Sequence, residues 1–172
     1  MIALGVDPST KTGIAIVDSV KGVLLRKEIK VPKGQKGLRR AVTISDVIVA
    51  VIREYKPDVI AIEGYGYGNA HTLATLVEVG TIIRLCLQVE ADGYYEVPPT
   101  SLKKYVTGKG NCKKDLMLLE IYKRFGCETT NDNEADAIGL AYLALSMKRQ
   151  GPELPKVNMS ALDKLEFRES GF

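Results

Sequence analysis

The opening of the chain constrains the fold more than any other stretch. Three short apolar runs, at residues 2–6, 14–17 and 23–29, follow one another with turns at Thr12-Gly13 and Lys21-Gly22. Short runs between Gly-bearing turns pair as an antiparallel meander. Residues 38–55 then carry Ala41, Ile44, Val47, Ile48, Val51 and Ile52 at helical spacing, stopped before Pro57. A continuous apolar run at 59–62 reads as a buried strand, and 94–97 as another, halted by Pro98-Pro99. Helices are expected at 72–89, 101–106, 113–125 and 131–147. This order predicts an α/β fold, a mixed five-stranded sheet flanked by helices. Residues 1–150 form one domain. Residues 151–172, with Pro152 and Pro155, read as an extended or partly disordered tail.

Composition removes several classes of function. No stretch approaches the ~20 apolar residues of a membrane span, and Met1 runs into a strand-like segment with no basic leader, so no signal peptide is read. Cys86, Cys112 and Cys127 are scattered and form no CxxC pair, which fits a reducing cytoplasm and argues against structural zinc. His71 is the one histidine, so Ser–His chemistry and multi-histidine metal sites have little to work with. It reads as a helix-start or surface residue. Any metal should be held by oxygen.

The net charge is +3 but unevenly spread. Between Lys21 and Arg40 eight basic residues accompany one acid, Glu28, and between Lys103 and Lys114 five lysines accompany none. A single basic run is ordinarily a solvated face. Two of them on an otherwise acidic chain favour a polyanion surface.

Three acids sit where chemistry could use them. Asp7 ends the first strand, Glu63 ends the strand at 59–62, and Asp136 lies early in the last long helix, followed by Ala-Ile-Gly-Leu-Ala. Asp7 alone also reads as an ordinary turn residue. A carboxylate near a buried face is costly unless paired or bound to a cation. Carboxylates converging from strand ends and a helix suit Mg²⁺, which takes one or two of them and bridges to phosphate. Two such ions about 3.5–4 Å apart can stabilise both oxygens of an in-line phosphoryl displacement.

These residues carry a family resemblance. Leu4-Gly5-Val6-Asp7-Pro8-Ser9 with Thr12-Gly13 resembles the opening of RuvC-type Holliday junction resolvases, in the ribonuclease H-like superfamily. Ile60-Ala61-Ile62-Glu63, Val97-Pro98-Pro99-Thr100-Ser101-Leu102-Lys103-Lys104, Val106-Thr107-Gly108-Lys109-Gly110 with Lys113-Lys114, and Glu134-Ala135-Asp136-Ala137 follow in the family's order. The first motif alone also occurs in actin-like ATPases; the ordered set, over about residues 2–147, is specific. The Asn-Glu-Ala-Asp-Ala stretch looks more like the bacteriophage branch, which would put the protein in a host cytoplasm. The resemblance implies a homodimeric endonuclease of DNA recombination and repair, with two Mg²⁺ or Mn²⁺ per active site. It would nick a four-way junction symmetrically and leave 5′-phosphates. Asp7, Glu63 and Asp136 match metal-binding acids, Lys114 a lysine near the scissile phosphate, and Lys103 another lysine facing the site. Ser9, Thr10 and Lys11 fall in a turn that would approach the DNA backbone, and the helix at 72–89 begins in the family's dimer interface. Tyr65 and Tyr67, set among glycines, match the loop that inserts into the junction, although both also read as ordinary loop aromatics. Lys104, Lys109 and Lys113 would join Lys103 in phosphate contact. Other readings stay open: a related nuclease acting on other branched DNA or RNA, or an ATPase-like or nucleic-acid-binding protein that makes no cut.

The fourth metal ligand departs from the family pattern, which has a carboxylate or a histidine where this chain has Asn133. At ~100° per residue, Asn133 lies ~60° from Asp136 around the helix, Asp132 ~40° and Glu134 ~200°. Asn133 is expected to offer its amide oxygen, with Asp132 as the substitute. Glu134 is set aside as the N3 partner of Asn131 in a variant capping box.

Overall fold

The computed structural model describes residues 1–66, 70–163 and 165–171, leaving aside the side chains of residues 70–72. Tyr67, and the side chain of His71, therefore lie outside the described residues. The opening meander forms as expected: β1 (Ile2–Asp7), β2 (Gly13–Asp18) and β3 (Gly22–Glu28) pair antiparallel in that order. The chain then passes through α1 (Gly37–Tyr55) to β4 (Val59–Glu63), which returns parallel to β1. Through α2 (Ala70–Glu90) it reaches β5 (Gly93–Val97), parallel to β4. Three helices follow, α3 (Pro99–Thr107), α4 (Lys114–Phe125) and α5 (Asp132–Met147).

The end of the chain differs from expectation. Beyond residue 150 the described residues include a short helix, α6 (Lys156–Met159), and a strand, β6 (Glu166–Glu169), antiparallel to β5. Among the described residues the sheet therefore has six strands rather than five, in the order β3-β2-β1-β4-β5-β6. The segment is tied down by polar contacts: Asn158 Nδ2 donates to the Tyr105 carbonyl (2.7 Å), Ser170 Oγ to the Gln88 carbonyl (2.6 Å), and Phe167 packs on Tyr95 at 5.0 Å between centroids. All four β6 residues are exposed. A charged edge strand with no buried face leaves no alternation to read.

Strand alternation divides the core in two. Leu4, Val6, Ile60 and Ile62 face α1 and α2, meeting Ile44, Ile48, Ile83 and Leu87. Ala3, Ala15, Val59 and Ala61 face the other way, onto α5 with α3 and α4 behind it. Val79 of α2 is fully buried in the first of these layers.

The α5 layer is unusually close to the sheet. A Cβ built on Gly5 would lie 2.0 Å from the Ala137 carbonyl oxygen and 2.6 Å from the Ala141 nitrogen; one on Gly13 would lie 2.0 Å from the Asn133 carbonyl oxygen. Glycine at both positions lets the helix backbone rest on β1 and β2. The helix answers with small residues, Ala135, Ala137, Gly139, Ala141 and Ala144, all buried. No helix among the described residues is long and apolar enough to cross a membrane.

Candidate active site

Register and parity bring the first two acids together. β1 and β4 pair parallel with Val6 opposite Ile62, so Asp7 and Glu63 end adjacent strands at the same edge. Both continue the alternation of Ala3 and Ala61 toward α5. The close seat of α5 then brings in Asp136 from the helix. Ligand sites of open α/β sheets lie at this edge, beyond the carboxyl ends of parallel strands.

The three carboxylates interact strongly. Asp7 is 7% exposed. Burial first, then the charges of Glu63 and Asp136, push its pKa well above the usual carboxylate range. Glu63 is pushed up to about 7, chiefly by burial and then by Asp136; its hydrogen bond with Asp7 works the other way. Asp136 is pushed up to about 6 by burial and by Asp132. Lys103 and Lys114 offset only part of this. Among the described residues, no group of three His, Cys, Asp or Glu side chains is arranged to hold a metal ion as it stands.

Two cavities flank the cluster. One, of about 370 Å³, is lined by Asp7, Ser9, Glu63, Tyr65, Pro99 and Asn133 among others. The other, of about 110 Å³, is lined by Lys103, Cys112, Lys113, Lys114, Asp132 and Asp136 among others. Lys114 Nζ donates to Asp132 Oδ2 at 2.6 Å, and its own pKa is raised by that pair first and more weakly by Asp136 and Asp7. The two candidates for a fourth ligand thus stand on different flanks, Asp132 with Asp136 and the lysines, Asn133 with Asp7 and Glu63. The Ser9 turn closes on itself: Thr12 Oγ1 donates to the Ser9 carbonyl (2.6 Å), and the Lys11 N–H donates to Ser9 Oγ (3.0 Å). Thr10 and Lys11 are exposed, as are Lys109 and Lys113, while Lys104 is half-buried on α3.

Two residues not foreseen from sequence organise the site. Glu28, the lone acid of the first basic run, ends β3 and accepts from Asn131 Nδ2 (3.0 Å) and Asn133 Nδ2 (2.9 Å). These two bonds hold its carboxyl below the usual range. With its nitrogen so occupied, the Asn133 amide has its oxygen left to offer, without a hydrogen-bond partner among the described residues. An isolated acid in a basic run was the available signal. The second is Arg84, which reaches the strand end at Glu63 from α2.

The start of α5 follows the expected cap in part. Asn131 Oδ1 accepts from the Glu134 N–H (3.1 Å). Glu134 does not reach back to the Asn131 N–H; the Thr129 hydroxyl stands between them, donating to Glu134 (3.0 Å) and accepting from Asn131 (3.1 Å). Tyr65 does not project freely. Its ring lies against Arg84, 4.3 Å from the guanidinium carbon, and its hydroxyl meets Thr81 at 3.3 Å.

The family described as crossover junction endodeoxyribonuclease RuvC matches residues 3–143. A crossover junction endodeoxyribonuclease RuvC from Rickettsia prowazekii (strain Madrid E) is 34% identical over 157 residues, covering 87% of this chain and 99% of that protein. One from Chloroflexus aggregans (strain MD-66 / DSM 9485) is 30% identical over 162 residues, covering 88% and 99%. In fold the chain is similar to Thermus thermophilus RuvC, described in complex with a Holliday junction substrate, with a TM-score of 0.73 at 19% identity, over 90% of this chain and 99% of that one. The architecture is thus ribonuclease H-like, with one further strand beyond the expected five. Because the family match runs from the first strand into α5, and so takes in every element that carries a site carboxylate, the chain belongs to the RuvC family of crossover junction endodeoxyribonucleases.

Proposed function

We propose that the protein resolves four-way DNA junctions as a homodimer, by metal-dependent paired nicks. The observation that carries the reading is the buried Asp7–Glu63–Asp136 cluster, in which burial first and neighbouring carboxylates second push Glu63 up to about 7 and Asp136 up to about 6, the nearby lysines offsetting only part of this. That donor set is all oxygen and strongly anionic, and it fits hard divalent cations such as Mg²⁺ or Mn²⁺. Asp7, Glu63 and Asp136 would hold them, with the Asn133 amide oxygen as the fourth donor. Two bound cations would supply charge stabilisation at the attacking and leaving oxygens of a phosphodiester.

The chain's own residues do the rest. Lys114 and Lys103 flank the acids and would hold the phosphate oxygens. Ser9 would bring its turn against the backbone, with Thr10 and Lys11 beside it. Lys104, Lys109 and Lys113 would add affinity that weakens with salt. Selectivity would come from two sites held at fixed spacing. Supporting this, α2 turns Val77, Leu85 and Val89 outward, 41%, 51% and 62% exposed. A helix that is apolar on both faces suits a two-fold interface. Leu85, half exposed, can take a charge without disturbing the core, so Leu85→Glu tests the interface: light scattering should show a wild-type dimer and a folded monomeric variant. A wild-type monomer with and without junction DNA would count against the interface.

The decisive experiment is a metal titration on a synthetic four-way junction. Paired symmetric nicks support the reading; diffuse cleavage, or binding without product, overturns it. Asp7→Asn keeps shape and removes a charge, so cleavage should fall by at least ~100-fold while junction binding persists.

A further inference from the structure

We infer that Arg84 is a positioning residue that sets the aim of Glu63 and parks Tyr65 on α2, so that the ring and the carboxylate two residues before it are held by one guanidinium. The inference deepens the nuclease reading and rests on it for its catalytic consequence. Arg84 is nearly buried, its side chain 12% exposed. Its Nη2 donates to the Glu63 carbonyl at 2.9 Å and to Glu96 Oε1 at 2.7 Å, and its Nε donates to the same oxygen at 3.1 Å. Its Nη1 donates to the Gly80 carbonyl of its own helix at 3.1 Å. The next peptide N–H, that of Gly64, donates to the Val97 carbonyl at 2.8 Å. The peptide between Glu63 and Gly64 is therefore gripped at both ends, by Arg84 on its oxygen and by β5 on its nitrogen. Fixing that plane fixes the direction in which the Glu63 side chain leaves the strand.

The face of the same guanidinium carries the Tyr65 ring at 4.3 Å, an arrangement favoured by the ring's negative face. An independent observation supports the pairing. Gly80 lies in the middle of α2, where glycine weakens a helix. A Cβ there would come within 2.8 Å of Arg84 Nη1 and 2.9 Å of the Tyr65 hydroxyl. The helix gives up a side chain at a position where one would push into both the ring and the guanidinium. Arg84 lines neither of the two cavities beside the acids, so it acts through Glu63 and Tyr65.

The chain contains no tryptophan, so Tyr65→Trp gives a single fluorophore on this face without substrate or metal. In that background Arg84→Lys removes the fork, and Gly80→Ala, which favours helix, fills the gap by itself. Each should raise acrylamide quenching of residue 65 by roughly twofold, as expected of a locally released segment, with the circular dichroism spectrum unchanged. With Tyr65 restored, Arg84→Lys should lower single-turnover cleavage of a junction by up to about 100-fold, as for a group misplaced by an ångström. Measured at saturating protein, that rate reads the chemical step apart from any change in junction Kd that the released Tyr65 brings. Unchanged quenching in both variants overturns the parking of Tyr65. An unaltered cleavage rate in Arg84→Lys, or a loss residing wholly in Kd, overturns the positioning of Glu63. If the wild-type protein cuts no junction, the nuclease reading fails on its own, and the quenching measurement still decides whether Arg84 holds Tyr65.

Discussion

Gly5→Ala is the sharpest test of how the site is assembled, because one methyl group bears on the distance between two carboxylates. Gly5 is fully within β1, and its missing Cβ is the space that the α5 backbone occupies. The added carbon would lie 2.0 Å from the Ala137 carbonyl oxygen and 2.6 Å from the Ala141 nitrogen, both backbone atoms that cannot swing aside. Restoring an ordinary contact requires α5 to retreat by roughly 1 Å or more, since packed interiors yield by shifting whole elements. Overpacking of this kind costs about 1–3 kcal/mol, and two backbone clashes put Gly5→Ala at the upper end. For a domain of this size, about 3 kcal/mol corresponds to a melting temperature lower by roughly 6–12 °C. Asp136 rides on the displaced helix, one residue before Ala137, while Asp7 stays on the strand. A shift of ~1 Å between groups that must act together costs on the order of 100-fold in rate. Thermal unfolding by circular dichroism and single-turnover cleavage at saturating protein measure the two effects. A variant that melts within about 2 °C of wild type and cuts at a comparable rate would refute the claim that the glycine contact sets the site.

The carboxylate cluster also predicts a pH dependence of stability in chelator-treated protein. Glu63 is raised from 4.5 to about 7 in the folded state, so its stabilising neutral form is fully present below about pH 4.5 and lost as pH rises through about 7. At 1.36 kcal/mol per unit this amounts to about 3 kcal/mol, with Asp136 acting in the same sense between 3.8 and about 6. Urea unfolding should show lower stability near pH 8 than near pH 5, with the difference reduced in Glu63→Gln and on adding Mg²⁺; equal stability at the two values in wild type would contradict the shifts. The two flanks of the fourth ligand can be separated by metal titration. Asn133→Ala should raise the metal concentration needed for cleavage, and Asn133→Asp should leave it unchanged or lower it. If Asp132→Asn abolishes cleavage while Asn133→Ala is silent, the ligand sits on the Lys114 side.

Much of the site was legible because it is written in local periodicities. Asp7 and Glu63 each close an apolar run, and once the first and fourth strands are parallel neighbours, a two-residue alternation leaves both carboxylates on one face. The small residues around Asp136 signal a helix meant to lie close against a sheet. The Asn131 cap is equally local, four residues deciding where α5 begins.

What only the tertiary structure decided involves partners far apart in the chain. Glu28 and Asn133 are 105 residues apart and meet because α5 crosses the end of β3. Its place as the lone acid of a basic run marks that glutamate, but no local pattern names its partner. Asp132 and Asn133 are neighbours in sequence, yet Lys114 from α4 takes one and Glu28 from β3 takes the other. Helix geometry alone leaves them nearly equivalent. Strand β6 has a hydrogen-bonding partner, β5, more than sixty residues upstream and no buried face of its own. Its charged sequence looks like a tail until the open edge of the sheet is there to receive it. Arg84 reads as an ordinary helix cation, and only the packed fold shows that its guanidinium ends on the backbone of Glu63. Apolar burial repeats with the period of the chain and can be read along it. Directional polar contacts depend on where elements cross, which is a property of the assembled fold.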